Sequence, residues 1–396
     1  MVFHYDESWL ANPTAIPLSQ SLPLTKKRFT RKDCRGFFAG ILPEESKREI
    51  IARNLGISAR NDFAMLERIG GECAGAVTFI AEGTSLPEPD NEYRPLSAPE
   101  LADIIKKLPR RPLLAGEEGI RLSLAGAQDK IAVHYSDGQI SLPLNGAPST
   151  HILKPAIERF EGVVFNEALC MHLAQAIGLN TANVEIGKVE GIEYLLVQRY
   201  DRAFNPVSPE GPERLQREHQ EDFCQALGIV PEYKYQNEGG PSLKQCFELV
   251  RTASSTPVID LQALLDAVIF NWLIGNNDAH GKNFSLVYRG EISSGLQTRL
   301  SPLYDLISTV YYPELSPKMA MKIGGEYLSE RVAPAHFERL AEEAGLAKPM
   351  MKRRVLELAE ALLSKLPAVT TDDSTTVAVA KVIQSRCERK ITSFKV

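Results

Sequence analysis

The chain has 396 residues, 44% of them apolar and 24% charged, with a formal net charge of −5. This length suits roughly two or three domains of ordinary globular composition, and the acidic balance excludes a global basic field built for nucleic acid. No uninterrupted apolar run is long enough to span a membrane, Met1 to Leu10 is too polar for a secretory signal, and six cysteines without a C-x-x-C pair read as reduced thiols of a cytoplasmic protein without a zinc site.

Residues 1–82 mix short helical patterns with one strand-like run at 76–80. A connector follows whose prolines, Pro87, Pro89, Pro95 and Pro99, argue against regular structure, and then a short helix over 101–108. From 120 to 200 the pattern changes to short β-branched and aromatic runs, at 122–124, 130–135, 151–154, 184–189 and 193–198. One helix interrupts them at 164–177 and is closed by Gly178. The proline-rich stretch 205–211 reads as a surface loop or hinge. Helices are then predicted at 218–227, 242–252, 260–274, 335–345, 349–365 and 376–389. The expected fold is therefore α+β and two-lobed: a subdomain with connector over 1–108, a strand-rich lobe over 109–204 and an all-helical lobe over 205–396. That is the plan of a protein kinase, with a nucleotide cleft between the lobes.

The most informative stretch is Gly275-Asn276-Asn277-Asp278-Ala279-His280-Gly281-Lys282-Asn283-Phe284-Ser285. It follows a helix whose Leu264, Leu265, Val268, Ile269 and Trp272 recur at helical spacing, so its polar groups sit at the end of a rigid element. Asp278 precedes Asn283 by five residues, and a second acid, Asp305, follows. Phosphoryl transfer from ATP uses an Asp to orient the attacking hydroxyl, and an Asn and a second Asp to hold Mg²⁺. A polar capping loop is the plainer alternative, since Gly, Asn and Asp gather at turns.

Three further segments fit a nucleotide site. Gly126 lies in Ser123-Leu124-Ala125-Gly126-Ala127-Gln128-Asp129-Lys130, a turn whose N–H groups can face a phosphate, although it matches neither standard glycine-rich motif. Lys154 ends an apolar strand, and Glu167 on the next helix is placed to hold it. Gln198-Arg199-Tyr200-Asp201-Arg202 ends the last strand before the second lobe, where a hinge backbone would read adenine and Tyr200 would pack nearby.

Together these segments resemble the HipA family, the serine/threonine kinase toxins of bacterial type II toxin–antitoxin pairs. The likeness extends to Leu18-Ser19-Gln20-Ser21-Leu22-Pro23-Leu24, Gly75-Ala76-Val77, His151-Ile152-Leu153-Lys154 and Gln220-Glu221-Asp222-Phe223-Cys224-Gln225, and so covers nearly the whole chain. It implies a HipA-like kinase fold, with ATP and Mg²⁺ as cofactors. Asp278 becomes the catalytic base, with His280 near the transferring phosphate. Asn283 and Asp305 become the metal ligands, and Lys154 the phosphate anchor. Ala125, Gly126, Ala127, Gln128, Lys130 and Lys282 become nucleotide contacts, as do Gln198 and Tyr200 at the hinge. Ser123 falls on the family's autophosphorylated serine, whose modification silences the enzyme. The implied partners are a DNA-binding HipB-like antitoxin and a protein substrate, an aminoacyl-tRNA synthetase with glutamyl-tRNA synthetase as the first candidate; no membrane is involved, and no direct nucleic-acid contact as a main function. Two readings compete: the same machinery acting on a lipid or small-molecule alcohol, and a co-repressor acting through a DNA-binding partner. Gln198 departs from the family's hinge Glu, and the chain begins later than family members usually do.

Overall fold

The computed structural model describes residues 1–24, 28–84, 92–157, 159–206, 213–290 and 296–395. Four short helices come first: α1 (Glu7–Ala11), α2 (Arg31–Gly40), α3 (Glu45–Leu55) and α4 (Asp62–Ile69). The run 76–80 is not a strand. The Phe79 N–H donates to Gly70 O at 2.7 Å and its carbonyl accepts from Arg121 at 2.8 Å, so turn and side-chain partners satisfy the backbone where strand propensity alone predicted a ladder. Residues 122–124 likewise form only an isolated bridge, between Leu122 and Glu72.

Six strands build the main sheet: β1 (Glu92–Pro95), β2 (Ile131–Ser136), β3 (Gln139–Leu144), β4 (His151–Pro155), β5 (Val184–Val189) and β6 (Ile192–Gln198). Their order is β1-β3-β2-β4-β6-β5, with every neighbouring pair antiparallel. The connector is thus regular from Glu92 onward, against expectation. Pro95 closes an edge strand, and Pro99 sits in the first turn of α5 (Ala98–Lys107), where a missing N–H breaks no helical bond. Pro87 and Pro89 lie outside the described residues. Helix α6 (Val163–Ala176) follows β4.

The second lobe is not all-helical, although the two-lobed α+β plan holds. β7 (Arg202–Pro206) and β8 (Glu213–Arg217) form a hairpin, so residues 205–206 of the loop expected over 205–211 are strand and the rest of it lies outside the described set. The helix expected over 218–227 is instead β9 (His219–Asp222) followed by the four-residue α7 (Phe223–Ala226), because the Asp222 carboxylate caps the N–H of Gln225 at 2.8 Å and so starts the helix late. Then come α8 (Leu243–Ala253), α9 (Pro257–Ile274), β10 (Ser285–Arg289), β11 (Gln297–Leu300), β12 (Lys318–Ile323), β13 (Glu326–Leu328), α10 (Pro334–Ala344), α11 (Lys348–Val369) and α12 (Ser374–Lys395). β9 pairs with β10, which pairs with β11. By length and composition α9 could cross a membrane, but it carries Asp260 and Asp266 and most of it is buried as the core helix of this lobe.

Two apolar cores divide the molecule. One joins the first helices to one face of the main sheet, through Phe37, Leu42, Ile51, Leu153 and Leu196. The other joins α6 and the opposite sheet face, through Leu195 and Val197, to α9 and the last three helices. Between the lobes lies a buried ionic knot. Glu72 accepts from Arg199 (3.2 Å), Arg202 (2.7 Å) and Arg217 (2.7 Å) as well as from the Ser149 N–H (2.9 Å). Asp201 accepts from Arg199 (2.8 Å) and from the Gly75 N–H (2.7 Å). The first subdomain, the sheet and the β7–β8 hairpin are thereby tied at one point.

Candidate active site

A cleft of about 750 Å³ opens between the lobes. It is lined by Ala125, Gly126, Ala127, Gln128 and Lys130 from the loop before β2, Lys154 from β4, Gln198 and Tyr200 from the hinge, and Asp278, His280, Lys282, Asn283 and Asp305 from the loops around β10. Of the residues singled out in the sequence, only Ser123 is absent from the lining. It is fully buried, its hydroxyl donating to Ile41 O at 3.1 Å and its N–H to Glu72 O at 2.9 Å.

Lys154 is the centre of charge. Its ammonium contacts Glu167 of α6 at 2.7 Å and also the Asp305 carboxylate. Burial alone pulls such an ammonium toward neutrality, but the carboxylates of Asp305 and Glu167 outweigh it and hold Lys154 above the ordinary lysine range. Asp305 shows the complement: despite burial, Lys154 and then Lys130 hold it down at about 2. Asp305 also adopts φ 54°, a left-handed position rare outside glycine. Backbone strain of this kind persists where the surroundings over-determine it; here the preceding Tyr304 hydroxyl donates to Lys282 O at 2.8 Å and stands 2.6 Å from the Ser285 hydroxyl.

The catalytic-type loop begins where α9 stops. Gly275 caps the helix at φ 77°, and a Cβ there would meet Val310 at 2.4 Å, so glycine is required twice over. The loop is then braced from both sides: the Asn277 N–H donates to the Thr309 hydroxyl at 2.8 Å, and the Ala320 N–H of β12 donates to Asn277 O at 2.7 Å. Asp278 is exposed at its tip, and the Tyr235 hydroxyl donates to its Oδ1 at 2.8 Å. His280 is buried, and that burial lowers its pKa and favours neutral imidazole. Its Nδ1, like the Oδ1 of Asn283, is a buried polar atom without a hydrogen-bond partner among the described residues. An orphan oxygen on Asn283, a residue that lines the same cleft as Asp305, fits the oxygen-ligand chemistry of Mg²⁺, which needs only one or two protein groups beside substrate phosphates.

Two predicted contacts have protein partners of their own. Lys282 lines the cleft but is buried, its ammonium donating to Asp222 (2.6 Å) and to Gly40 O (3.1 Å). The Gln198 side chain accepts from Asn183 at 2.7 Å on the outer surface, and its N–H donates to Asn183 O at 2.8 Å. Tyr200 stacks on Tyr304 at 5.6 Å, and its carbonyl accepts from Arg289 at 2.9 Å.

Sequence reasoning missed the part played by the first subdomain. The Glu44 N–H donates to Gly126 O at 3.2 Å, and its carboxylate pairs with Lys234 at 2.9 Å, while Lys47 pairs with Asp129 at 2.6 Å. The loop around Gly126 (φ 105°), whose Lys130 ammonium donates back to Ala125 O at 2.8 Å, is thus clasped by residues some eighty positions upstream. No local pattern marks Glu44 or Tyr235; both belong to the site only through long-range folding.

Comparisons with known proteins agree with this arrangement. The sequence profile of the HipA-like C-terminal domain matches residues 122–366, and that of the HipA N-terminal domain matches residues 1–80. Y4mE of Sinorhizobium fredii, which carries a provisional kinase designation, is 46% identical over 398 residues, covering 100% of this chain and 89% of that protein. The serine/threonine-protein kinase toxin HipA of Shewanella oneidensis is 31% identical over 405 residues, covering 98% of this chain and 90% of that protein. A solved complex of Shewanella oneidensis HipA, HipB and operator DNA superposes with a TM-score of 0.85 at 28% identity, covering 100% of this chain and 93% of that one. Fold, cleft and sequence therefore converge: this chain belongs to the HipA family of serine/threonine kinase toxins.

Proposed function

We propose that this protein is a cytoplasmic ATP- and Mg²⁺-dependent serine/threonine protein kinase and the toxin of a type II toxin–antitoxin pair. Its proposed target is an aminoacyl-tRNA synthetase, glutamyl-tRNA synthetase first; its proposed partner is a DNA-binding HipB-like antitoxin; and autophosphorylation at Ser123 silences it. The observation that carries the reading is Lys154 held between Glu167 and Asp305 in the cleft that also presents Asp278 and the orphan oxygen of Asn283. An abandoned site has no reason to keep that set, which weighs against a pure co-repressor.

In this reading the acceptor hydroxyl oxygen bonds the γ-phosphorus, the bond from that phosphorus to the β–γ bridging oxygen breaks, and ADP leaves. Asp278 orients the hydroxyl and receives its proton. Lys154 neutralises the phosphates, and the loop around Gly126 offers its N–H groups to them. Asn283 and Asp305 would hold Mg²⁺, which supplies charge neutralisation on the phosphates. His280, kept neutral by burial, has a free ring nitrogen for the transferring group.

The test is incubation with labelled Mg-ATP and bacterial lysate, with the modified protein identified by mass spectrometry. One dominant phosphoprotein is expected, along with growth arrest on expression that co-expression of the antitoxin relieves. Labelling only of lipids or small alcohols would move the acceptor assignment.

The metal is testable separately. Calorimetric ATP binding should weaken at least about tenfold when Mg²⁺ is omitted, and Asp305→Ala should lose the benefit of adding it. Equal ATP affinity in Asp305→Ala and the wild type would remove Asp305 from the ligand set.

A further inference from the structure

Asp278 is exposed and has no described ion-pair partner; among the described residues its one side-chain donor is the Tyr235 hydroxyl, 2.8 Å from Oδ1. An exposed carboxylate with nothing to hold it samples several rotamers, and each misplaced one costs rate, because proton acceptance depends on geometry. We propose that Tyr235 is a positioning residue for Asp278: its hydroxyl fixes the carboxylate through one oxygen so that the other stays aimed at the acceptor hydroxyl. This deepens the kinase reading above and rests on it.

Tyr235 is built to hold still. Its ring meets the buried His280 ring edge-on at 5.4 Å, and the Lys234 ammonium lies 5.5 Å from its centroid. Its carbonyl accepts from the Glu238 N–H at 3.0 Å and the Gly240 N–H at 2.8 Å. Lys234 is itself anchored to Glu44 at 2.9 Å and to Glu45 at 3.3 Å. The donor is a phenol rather than a lysine or arginine. Burial, and then the Asp278 charge, hold the phenol above the ordinary tyrosine range, so it remains a donor at neutral pH.

Two variants of the full chain separate positioning from packing. Tyr235→Phe keeps the ring against His280 and removes only the hydroxyl, whereas Tyr235→Ala removes both. In the Phe variant kcat should fall about ten- to hundred-fold, the worth of one hydrogen bond to a charged group, with KM for ATP and the calorimetric ATP affinity unchanged. The Ala variant should fall little further. A Phe variant at the wild-type rate, with only Ala impaired, assigns Tyr235 to packing and overturns the proposal. Mass spectrometry finding phosphate on Tyr235 also overturns it, since the hydroxyl would then be an acceptor. A wild type inert toward itself and toward lysate sinks the kinase reading, and the proposal with it; an active wild type with an unimpaired Phe variant sinks the proposal alone.

Discussion

Asp278→Asn should lower phosphotransfer by at least about 100-fold, the low end of a general acid–base contribution, without moving the melting temperature. The substitution is isosteric, the residue is exposed, and the Tyr235 hydroxyl still finds an oxygen acceptor, so the fold has little to lose. What disappears is the group proposed to take the acceptor proton. Initial rates with labelled ATP, beside a thermal melt and an ATP titration, measure all three quantities. Near-wild-type turnover would move the base elsewhere. Toxicity that survives the substitution in cells would indicate sequestration of a partner instead of phosphorylation.

Glu72→Ala should destabilise the protein by about 3–5 kcal/mol in urea unfolding, the usual cost of breaking a buried ion network from one side. It would leave Arg199 and Arg202 with Asp201 as their carboxylate and take from Arg217 its ion pair with Glu72. A typical domain has only about 5–15 kcal/mol to lose, so the variant should also be prone to unfold at growth temperature. The network has a pH signature. Burial opposes ionisation of Glu72, but Arg202, Arg199 and Arg217 prevail and hold it at about 2, below its ordinary 4.5. A carboxylate depressed in the folded state contributes stability that is fully present above 4.5 and lost as pH falls toward 2. Unfolding free energy should therefore drop through that window in the parent and drop less in Glu72→Ala. Parallel slopes would mean that Glu72 does not control the acid transition.

Much of the architecture was legible because its signals are local. The periodic apolar residues of α9 and the Asp-to-Asn spacing after it placed the catalytic-type loop, and Lys154 with Glu167 met as the strand-then-helix pattern required. What failed was of two kinds. Short strands in the second lobe are set by pairing with distant partners, as β9 is by β10, and the stretch 218–227 has helix formers enough to mislead. β3 was missed although Asp137-Gly138 supplies a two-residue hairpin turn, both residues at positive φ (51° and 78°). The site was incomplete for the first reason: Glu44, Lys234 and Tyr235 reach the cleft through tertiary contacts that no window of sequence contains. The ion pair that holds Lys282 on Asp222 was likewise out of reach of the sequence, because the two residues lie sixty positions apart.

If Ser123 is the modified serine, as proposed above, its sealed hydroxyl would turn a covalent event into a measure of time. With the side chain fully buried and clasped to Ile41, no active site, its own or a second copy's, can reach it while the loop is seated. Modification at that serine must wait for the loop to leave Ile41 and Glu72, a local opening whose free energy is set by those contacts and by the Glu44 and Lys47 clasp. When reclosing outruns the chemistry, the observed rate is the open fraction multiplied by the intrinsic rate, so each 1.4 kcal/mol in the clasp lengthens the interval about tenfold. The first subdomain, far from the proposed site of phosphate transfer in sequence, would then act as the escapement of a clock: it would set how long the proposed kinase runs before it could be stopped.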